Sequence, residues 1–291
     1  NTTSSQVSNL VIRNFQRSGI SAGFARGSVF EGLEIYGNGR HGIVLPATAE
    51  ANPRTIRIGG TQTNQRNLIY GNSLDGISII ASPSIDRTLP QNIEILNNYI
   101  GTSNGTTDNG NNGNGIYLEN TFGVIIGDAS GATRNIISGN SNDGIKIQGT
   151  QAYANEVIGN FIGTDSSGGV ALGNSASGIA LLSGAGFAVD FISRGPNRIG
   201  KPGLGNVISS NNFGVFIADN NTSNNWLQAN LIGTNVGGNS DLGNTQDGVL
   251  LGAGTFDNRI GGTGANEGNL AAFNRRGIFA DGGNRNSFRR N

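Results

Sequence analysis

Residues 135–147 read NIISGNSNDGIKI and contain two phrases that recur along the whole chain. The second phrase, Gly-Ile/Val-x-hydrophobic, returns after intervals that range from 23 residues (Gly19 to Gly42) to 39 residues (Gly76 to Gly115). Its nine copies begin at Gly19, Gly42, Gly76, Gly115, Gly144, Gly178, Gly214, Gly248 and Gly277. Such repetition is typical of a solenoid, and the uneven intervals suit short strands whose corners accept insertions. We predict that each interval is one turn of a β-helix.

The first phrase, Asn-x-Ile/Val/Leu-x-x-Asn, recurs between the glycine phrases, as in residues 67–72, 155–160 and 225–230. Alternation such as Ile145-Lys-Ile147 directs one set of side chains inward, and Asn or Gly at each break permits the left-handed backbone of a tight corner. Stacked turns place like residues above like residues. We therefore predict inward columns of aliphatic side chains and ladders of Asn side chains at the corners.

Two kinds of coil alternate along the chain. In one kind the extra residues precede the Asn-x-Ile strand, as from Asp128 to Arg134, and in the other they follow Ile-Gly-Thr, as from Asp165 to Gly173. This alternation predicts two ridges of loops at neighbouring corners.

Composition agrees with a solenoid of stacked aliphatic side chains. Gly is 49 of 291 residues, aromatic residues are 7% and charged residues are 13%. We predict one elongated domain over residues 1–291, in which nine or ten coils spaced about 4.8 Å apart give a rod on the order of 45 Å long.

These repeats resemble those of the right-handed parallel β-helix proteins of the pectate-lyase-like superfamily, in particular bacterial surface and secreted chains, and the resemblance covers nearly all 291 residues. It implies an all-β fold, a single-stranded right-handed parallel β-helix, and an extracellular or cell-surface location. It does not select a function, because the superfamily includes polysaccharide lyases, glycoside hydrolases, epimerases, tailspikes, adhesins and structural proteins.

The remaining global features concern location and partners. The chain has no Cys, no Met and no apolar stretch of membrane length. It begins at Asn1, so an initiator and any signal peptide were either removed or never part of this sequence, and we favour removal during export. Its formal net charge of zero argues against a general nucleic-acid binder.

The two ends indicate possible neighbours. No helical cap is evident at either end, and residues 286–291 align with residues 225–230 but lack the next inward residue. Open strand edges pair readily with further strands. We therefore expect either a longer polypeptide or an edge that meets another subunit, by end-to-end or lateral packing.

Catalysis would require specific residues, and the candidates have ordinary positions in the repeat. His41, the only His, precedes Gly42 where other coils have Asp75 or Asp143, and we interpret it as a corner residue. Asp75 and Asp143 should lie two coils apart, roughly 10 Å, near the upper limit for an inverting glycosidase pair. Because Asp-Gly is a common dipeptide at tight corners, no catalytic role is needed to explain these two Asp residues. Lys146 is predicted to point outward, and neither it nor Lys201 belongs to a recognisable acidic cluster.

Two further motifs have simple structural interpretations. Residues 108–113 followed by Glu119 superficially match a calcium loop, but Gly110 replaces a ligand and the segment aligns with ordinary loops. We predict no cofactor, with calcium as the alternative. Thr102, Thr164 and Thr234 lie on alternate coils, so we interpret them as a corner motif and not as an ice-binding array.

Three segments interrupt the repeat: residues 46–55, 81–91 and 182–196. Most of the prolines lie in them, as expected for residues excluded from paired strands. We interpret residues 182–196, which include Phe187 and Phe191, as a flap with its own small core.

We assign no catalytic, cofactor-binding or metal-ligating residue. The sequence favours a non-enzymatic extracellular structural or adhesive solenoid module, such as a filament subunit or a segment of a surface protein. The alternative is a polysaccharide lyase, a glycoside hydrolase or a polysaccharide-binding β-helix.

Overall fold

The computed structural model describes residues 5–23, 27–47, 55–81, 92–128, 133–187 and 195–291. These residues form 28 strands and one 3-10 helix, Thr63–Gln65. Most of the interrupting segments predicted at residues 46–55, 81–91 and 182–196 lie outside the described residues.

The strands form three parallel sheets, which we name A, B and C. Sheet A contains β1 (Gln6–Ser8), β4 (Val29–Glu31), β7 (Ile56–Gly59), β10 (Ile93–Leu96), β13 (Val124–Ile126), β16 (Glu156–Val157), β19 (Asn197–Ile199), β22 (Asn225–Leu227), β25 (Arg259–Gly261) and β28 (Ser287–Arg289). Sheet B contains β2 (Val11–Arg13), β5 (Glu34–Tyr36), β8 (Leu68–Tyr70), β11 (Tyr99–Ile100), β14 (Ile136–Ile137), β17 (Phe161–Ile162), β20 (Val207–Ile208), β23 (Leu231–Ile232) and β26 (Leu270–Ala271). Sheet C contains β3 (Ile20–Ser21), β6 (Ile43–Ala47), β9 (Ile77–Ala81), β12 (Ile116–Glu119), β15 (Ile145–Gln148), β18 (Ser177–Leu182), β21 (Phe213–Ile217), β24 (Asp247–Leu251) and β27 (Arg276–Ala280).

Each coil contributes one strand to each sheet in the order A, B, C, and each strand pairs with its counterparts in the coils before and after it. The chain therefore forms nine complete coils and the sheet A strand of a tenth. This is the parallel β-helix that the sequence predicts, with the coil number expected.

The core is a set of aliphatic columns, as predicted. Ile145 and Ile147 are fully buried, and Lys146 between them lies on the outer face of sheet C. Sheet B contributes a column of isoleucines with no exposed surface: Ile35, Ile69, Ile100, Ile137, Ile162, Ile208 and Ile232. The dominant stabilising term is the burial of such side chains, at roughly 25 cal/mol per Å² of apolar surface.

Asparagine ladders run along all three corners. In each ladder the Nδ2 of one Asn donates to the Oδ1 of the Asn in the next coil, at 2.7–3.3 Å. The A–B ladder contains Asn67, Asn98, Asn135, Asn160, Asn206, Asn230, Asn269 and Asn291. The B–C ladder contains Asn38, Asn72, Asn111, Asn140, Asn174, Asn211, Asn244 and Asn274. The C–A ladder contains Asn155, Asn197, Asn225, Asn258 and Asn286.

The glycine of the recurring phrase is required by close packing between coils. A Cβ atom on Gly115 would lie 2.6 Å from the carbonyl oxygen of Gly144 and 2.9 Å from the Nδ2 of Asn140. Both neighbours are fixed by the coil-to-coil hydrogen bonds, so a larger residue would force the coils apart. The glycine therefore marks the start of each sheet C strand.

Two ridges of loops flank sheet B, as the alternation of coils predicts. One ridge lies at the A–B corner and includes Thr63–Gln65 and residues 201–205. The other lies at the B–C corner and consists of hairpins closed by the pairs Thr102–Asp108, Thr164–Ala171 and Thr234–Asp241. The hairpins contact one another, since the N–H of Ser166 donates to the carbonyl of Gly105 and the N–H of Val236 donates to that of Gly168.

Removing one ladder side chain tests how much the amides stabilise the solenoid. Asn140 donates to Asn174, Ile100 and Ser138 and accepts from the backbone and side chain of Asn111. Asn140→Ala should lower the free energy of unfolding by about 3 kcal/mol, because it leaves several buried polar groups unpaired. Asn112→Ala, at an exposed position two residues before Asn114, is the control. Equal urea midpoints for the two variants would show that the ladder does not stabilise the fold.

Candidate functional site

The chemically varied position of the repeat is the residue before each sheet C glycine. The parallel register stacks these residues in one column, which we name the polar column. From coil 1 to coil 9 it contains Ser18, His41, Asp75, Asn114, Asp143, Ser177, Phe213, Asp247 and Arg276. His41 and both candidate carboxylates therefore lie where the sequence predicts.

Hydrogen bonds and one close His–Asp contact connect the middle of the polar column. The Nδ1 of His41 lies 3.2 Å from Oδ2 of Asp75, whose Oδ1 accepts the backbone N–H and the side-chain Nδ2 of Asn114, each at 2.8 Å. The Oδ1 of Asn114 accepts the N–H of Asp143, and Oδ1 of Asp143 accepts the N–H of Ser177. Each acidic side chain thus holds the backbone of the next coil.

Asp75 and Asp143 are separated by Asn114 and do not form an open pair of carboxylates. Burial raises the pKa of the Asp143 carboxyl above its usual value of 3.8, while the hydrogen bonds from Ser177 and the charge of Lys146 act in the opposite direction. A glycosidase pair requires room for substrate between its two carboxyl groups. Asn114 fills the space between Asp75 and Asp143, which agrees with the interpretation of both Asp side chains as corner residues.

The outer face of sheet C carries the second candidate surface. Its central column runs Val44, Ser78, Tyr117, Lys146, Ala180, Phe216, Leu250 and Phe279. The Tyr117 hydroxyl donates to Glu119 at 2.9 Å and accepts from Gln148 at 2.6 Å. Burial and Glu119 raise the pKa of Tyr117 beyond its usual range, so it remains a neutral donor. Half-buried Phe216, Leu250 and Phe279 continue this face as an apolar strip.

Charged side chains on sheet A form pairs between coils or with adjacent loops. Arg57 bonds Glu31 at 3.1 Å, Lys201 bonds Glu156 at 2.8 Å, and Arg259 bonds Glu267 at 2.6 Å. Trp226 lies between two guanidinium groups, with Arg198 at 4.5 Å and Arg259 at 4.9 Å from the ring centroid. Lys201 therefore has one acidic partner and is not part of an acidic cluster.

A cavity of about 410 Å³ opens between the two loop ridges on sheet B. Phe161, Val207 and Leu231 line it from successive coils, with Leu204 from one ridge and Val236 from the other. The sequence analysis did not anticipate this cavity, because it assigned no role to the outward residues of the short sheet B strands. Apolar residues at that outward position in consecutive coils are the signal that identifies it.

The structure gives structural roles to Asp108, in the segment that superficially matches a calcium loop, and to Thr102, Thr164 and Thr234. Asp108 accepts the N–H of Gly110 within its hairpin. Within the described part of the chain, no group of three His, Cys, Asp or Glu side chains is arranged to hold a metal ion. Thr102, Thr164 and Thr234 are fully buried, so they are corner residues as interpreted and present no hydroxyl surface.

Comparison with known proteins identifies the fold. The chain resembles the A-module of the mannuronan C-5 epimerase AlgE6 from Azotobacter vinelandii, with a TM-score of 0.51 and 16% identity over 96% of the chain. It spans 64% of that module. The A-module of the AlgE4 epimerase from the same organism gives a TM-score of 0.42 and 15% identity over 97% of the chain, and the chain spans 57% of it.

The structural likeness establishes a right-handed parallel β-helix, which confirms the predicted fold class. No protein-family model matches the chain. No curated protein matches it either. Among the described residues, no helix has the length and apolar character needed to cross a membrane.

The raised pKa of Asp143 predicts a pH-dependent contribution to stability. The unfolded carboxyl ionises near 3.8 and the folded one at higher pH, so stability from this group is present below 3.8 and is lost as pH rises through the folded pKa. Asp143→Asn keeps a side-chain oxygen that can accept the N–H of Ser177. The free energy of unfolding of this variant should therefore exceed that of the wild type increasingly as pH rises. The gain is about 1.4 kcal/mol for each pKa unit that separates the folded from the unfolded Asp143 carboxyl. Thermal unfolding from pH 3.5 to 8 measures the difference.

Asp241→Asn controls for the loss of one negative charge, since Asp241 is exposed and accepts one N–H from Gly243. A constant difference between wild type and Asp143→Asn across this range would contradict the prediction.

Proposed function

We propose that this chain is a structural or adhesive β-solenoid module that works outside the cell or at the cell surface, as a filament subunit or as a segment of a surface protein. The single observation that supports it most is the continuity of the corner ladders. Amide ladders of eight, eight and five Asn connect successive coils. Such connections make a rod that resists bending and local opening, because each coil is hydrogen-bonded to both neighbours.

The distribution of charge supports the same function. The ion pairs of Glu31, Glu156 and Glu267 join neighbouring coils or hold a loop, and the carboxylates of Asp75 and Asp143 hold backbone N–H groups. A polar group committed to holding the scaffold is not available to a substrate. Most of the described acidic side chains with low exposure therefore act in the architecture of the rod.

Electron microscopy of the native assembly tests the structural function. A continuous fibre, or rods aligned at a surface with a spacing near the length of this module, is the expected result. The same preparation should be incubated with mannuronan, pectate and neutral glucans, followed by measurement of chain length and epimer content. Depolymerisation or epimerisation by dispersed particles that form no fibre would overturn the proposal.

A second candidate function is binding of a polysaccharide along the outer face of sheet C. Aromatic rings and a cation in one column form a surface suited to sugar rings that carry carboxylates, and Lys146, Phe216 and Phe279 provide these groups. The structural neighbour named above is an epimerase of mannuronan, a polyuronate. The likeness in fold makes mannuronan a reasonable first ligand to test.

The two lysines of the chain provide a matched pair for this test. Lys146→Ala should weaken mannuronan binding about tenfold, because it removes a charge-assisted contact to a carboxylate. Lys201→Ala removes a lysine from the side of the solenoid that carries sheet A and should leave the affinity unchanged. Titration calorimetry on both variants gives the comparison, and equal affinities would exclude sheet C as the binding face.

A further inference from the structure

We propose that Ser18, His41 and Asp75 form a nucleophile, base and orienting carboxylate for hydrolysis of carboxylic esters. The three residues occupy the same position in coils 1, 2 and 3, so the polar column places them in the order serine, histidine, aspartate on adjacent coils. His41 is the one His of the chain. This activity goes beyond the structural function proposed above and does not depend on it.

The contacts of Asp75 suit a carboxylate that orients an imidazole. Its Oδ1 accepts two N–H groups from Asn114, which fixes the plane of the carboxylate, and its Oδ2 faces Nδ1 of His41 at 3.2 Å. The His41–Asp75 contact has the distance of a hydrogen bond but not its alignment. A carboxylate at Nδ1 favours the tautomer that carries its proton there, which leaves Nε2 as the base.

Burial strengthens this arrangement. The side chains of His41 and Asp75 are 16% and 11% exposed, so water screens their interaction weakly. Among the described residues, Nε2 of His41 makes no hydrogen bond, so this nitrogen is available to a neighbouring hydroxyl. The pair therefore combines close approach of an imidazole to a carboxylate with partial exclusion of water, two properties that suit a catalytic base.

Ser18 supplies the hydroxyl on the opposite side of His41 from Asp75. The N–H of Gly19 donates to the carbonyl of His41 at 3.0 Å, which fixes the register of coils 1 and 2 at this point. Coils lie about 4.8 Å apart, a gap that a serine side chain and an imidazole span together. Ser18 and His41 are not hydrogen-bonded here, and catalytic contacts of this kind commonly tighten when substrate binds.

Ser18 is accessible and has a donor for a developing negative charge. It is half-buried. Among the described residues, the backbone N–H of Ser18 has no hydrogen-bond acceptor. The N–H of a nucleophilic serine can stabilise the oxyanion of a tetrahedral intermediate.

The reaction follows from these positions. Ser18 Oγ attacks the ester carbonyl carbon while its proton passes to Nε2 of His41. The tetrahedral intermediate collapses, the bond to the leaving oxygen breaks, and that oxygen takes the proton from His41 to depart as an alcohol. Water then attacks the acyl-serine with His41 as the base, which releases a carboxylic acid and restores Ser18.

The charges around Ser18 indicate the substrate class. Arg17 and Arg40, both exposed, directly precede Ser18 and His41 and therefore flank the proposed site in adjacent coils. Two cations next in sequence to the proposed nucleophile and base favour esters that carry a negative charge. The substrate class is an anionic carboxylic ester, such as an acyl group on an acidic polymer.

A fluorophosphonate probe on the intact chain tests the nucleophile. The expected result is covalent labelling at Ser18, located by mass spectrometry of peptides, together with hydrolysis of mono-4-nitrophenyl succinate in preference to neutral 4-nitrophenyl acetate. Ser177→Ala is the matched control, because Ser177 occupies the same column position beside Asp143 and Phe213, where no imidazole is present.

Ser18→Ala and His41→Asn should each lower the hydrolysis rate by roughly 10²-fold or more, whereas Ser177→Ala should equal the wild type. Asp75→Asn tests the positioning residue, and it should lower kcat while leaving KM for the succinate ester unchanged. Circular dichroism confirms that each variant is folded. A folded wild type that is not labelled at Ser18, or a Ser18→Ala variant that retains the full rate, would overturn the proposal.

Discussion

The structure depends on one constraint, which is that the hydrogen-bonding groups at a ladder corner must be satisfied by the same groups of the neighbouring coils. In parallel stacking, the residue at a corner faces a copy of itself in the next coil, so it must donate on one side and accept on the other. Asn does this with a single side chain, since its Nδ2 donates to the next coil while its Oδ1 accepts from the previous one. Asn140 shows the complete pattern, accepting from Asn111 and donating to Asn174. The high Asn content of the chain is a consequence of this geometry.

Much of the fold could be predicted from the sequence because the residues that recur are those that make the contacts between coils. The glycine before each sheet C strand, the alternation at Ile145 and Ile147 and the ladder Asn residues all reflect contacts with the neighbouring coil. The start of the C–A ladder is also visible in the sequence, because Val124 and Asn155 occupy equivalent positions in consecutive coils. The three coils before Asn155 place Ile56, Ile93 and Val124 at this position, and the sequence changes from Val-x-Ile to Asn-x-Val there.

The surface was less predictable, because contacts there join different residues and not copies of one residue. Nothing in the repeat indicates that the guanidinium of Arg134 lies 4.0 Å from the ring centroid of Phe161, or that Leu204 and Val236 line the same cavity on sheet B. These contacts depend on how two loops from different coils fold over the same strands. The polar column was predictable in part. Its position was predicted, but the contacts between His41 and Asp75 required the side-chain geometry.

The polar column also shows how a scaffold of this kind can acquire chemistry. Backbone hydrogen bonds and the neighbouring B–C ladder hold the coils together beside it, so the column tolerates Ser, His, Asp, Asn, Phe and Arg at one structural position. The column therefore accommodates several residue types, and Asp75 and Asp143 within it also hold the backbone of the next coil. Because the spacing between coils is constant, any order of side chains in the sequence becomes a row of side chains at contact distance. A serine, a histidine and an aspartate in consecutive coils are therefore brought side by side without any change in the backbone.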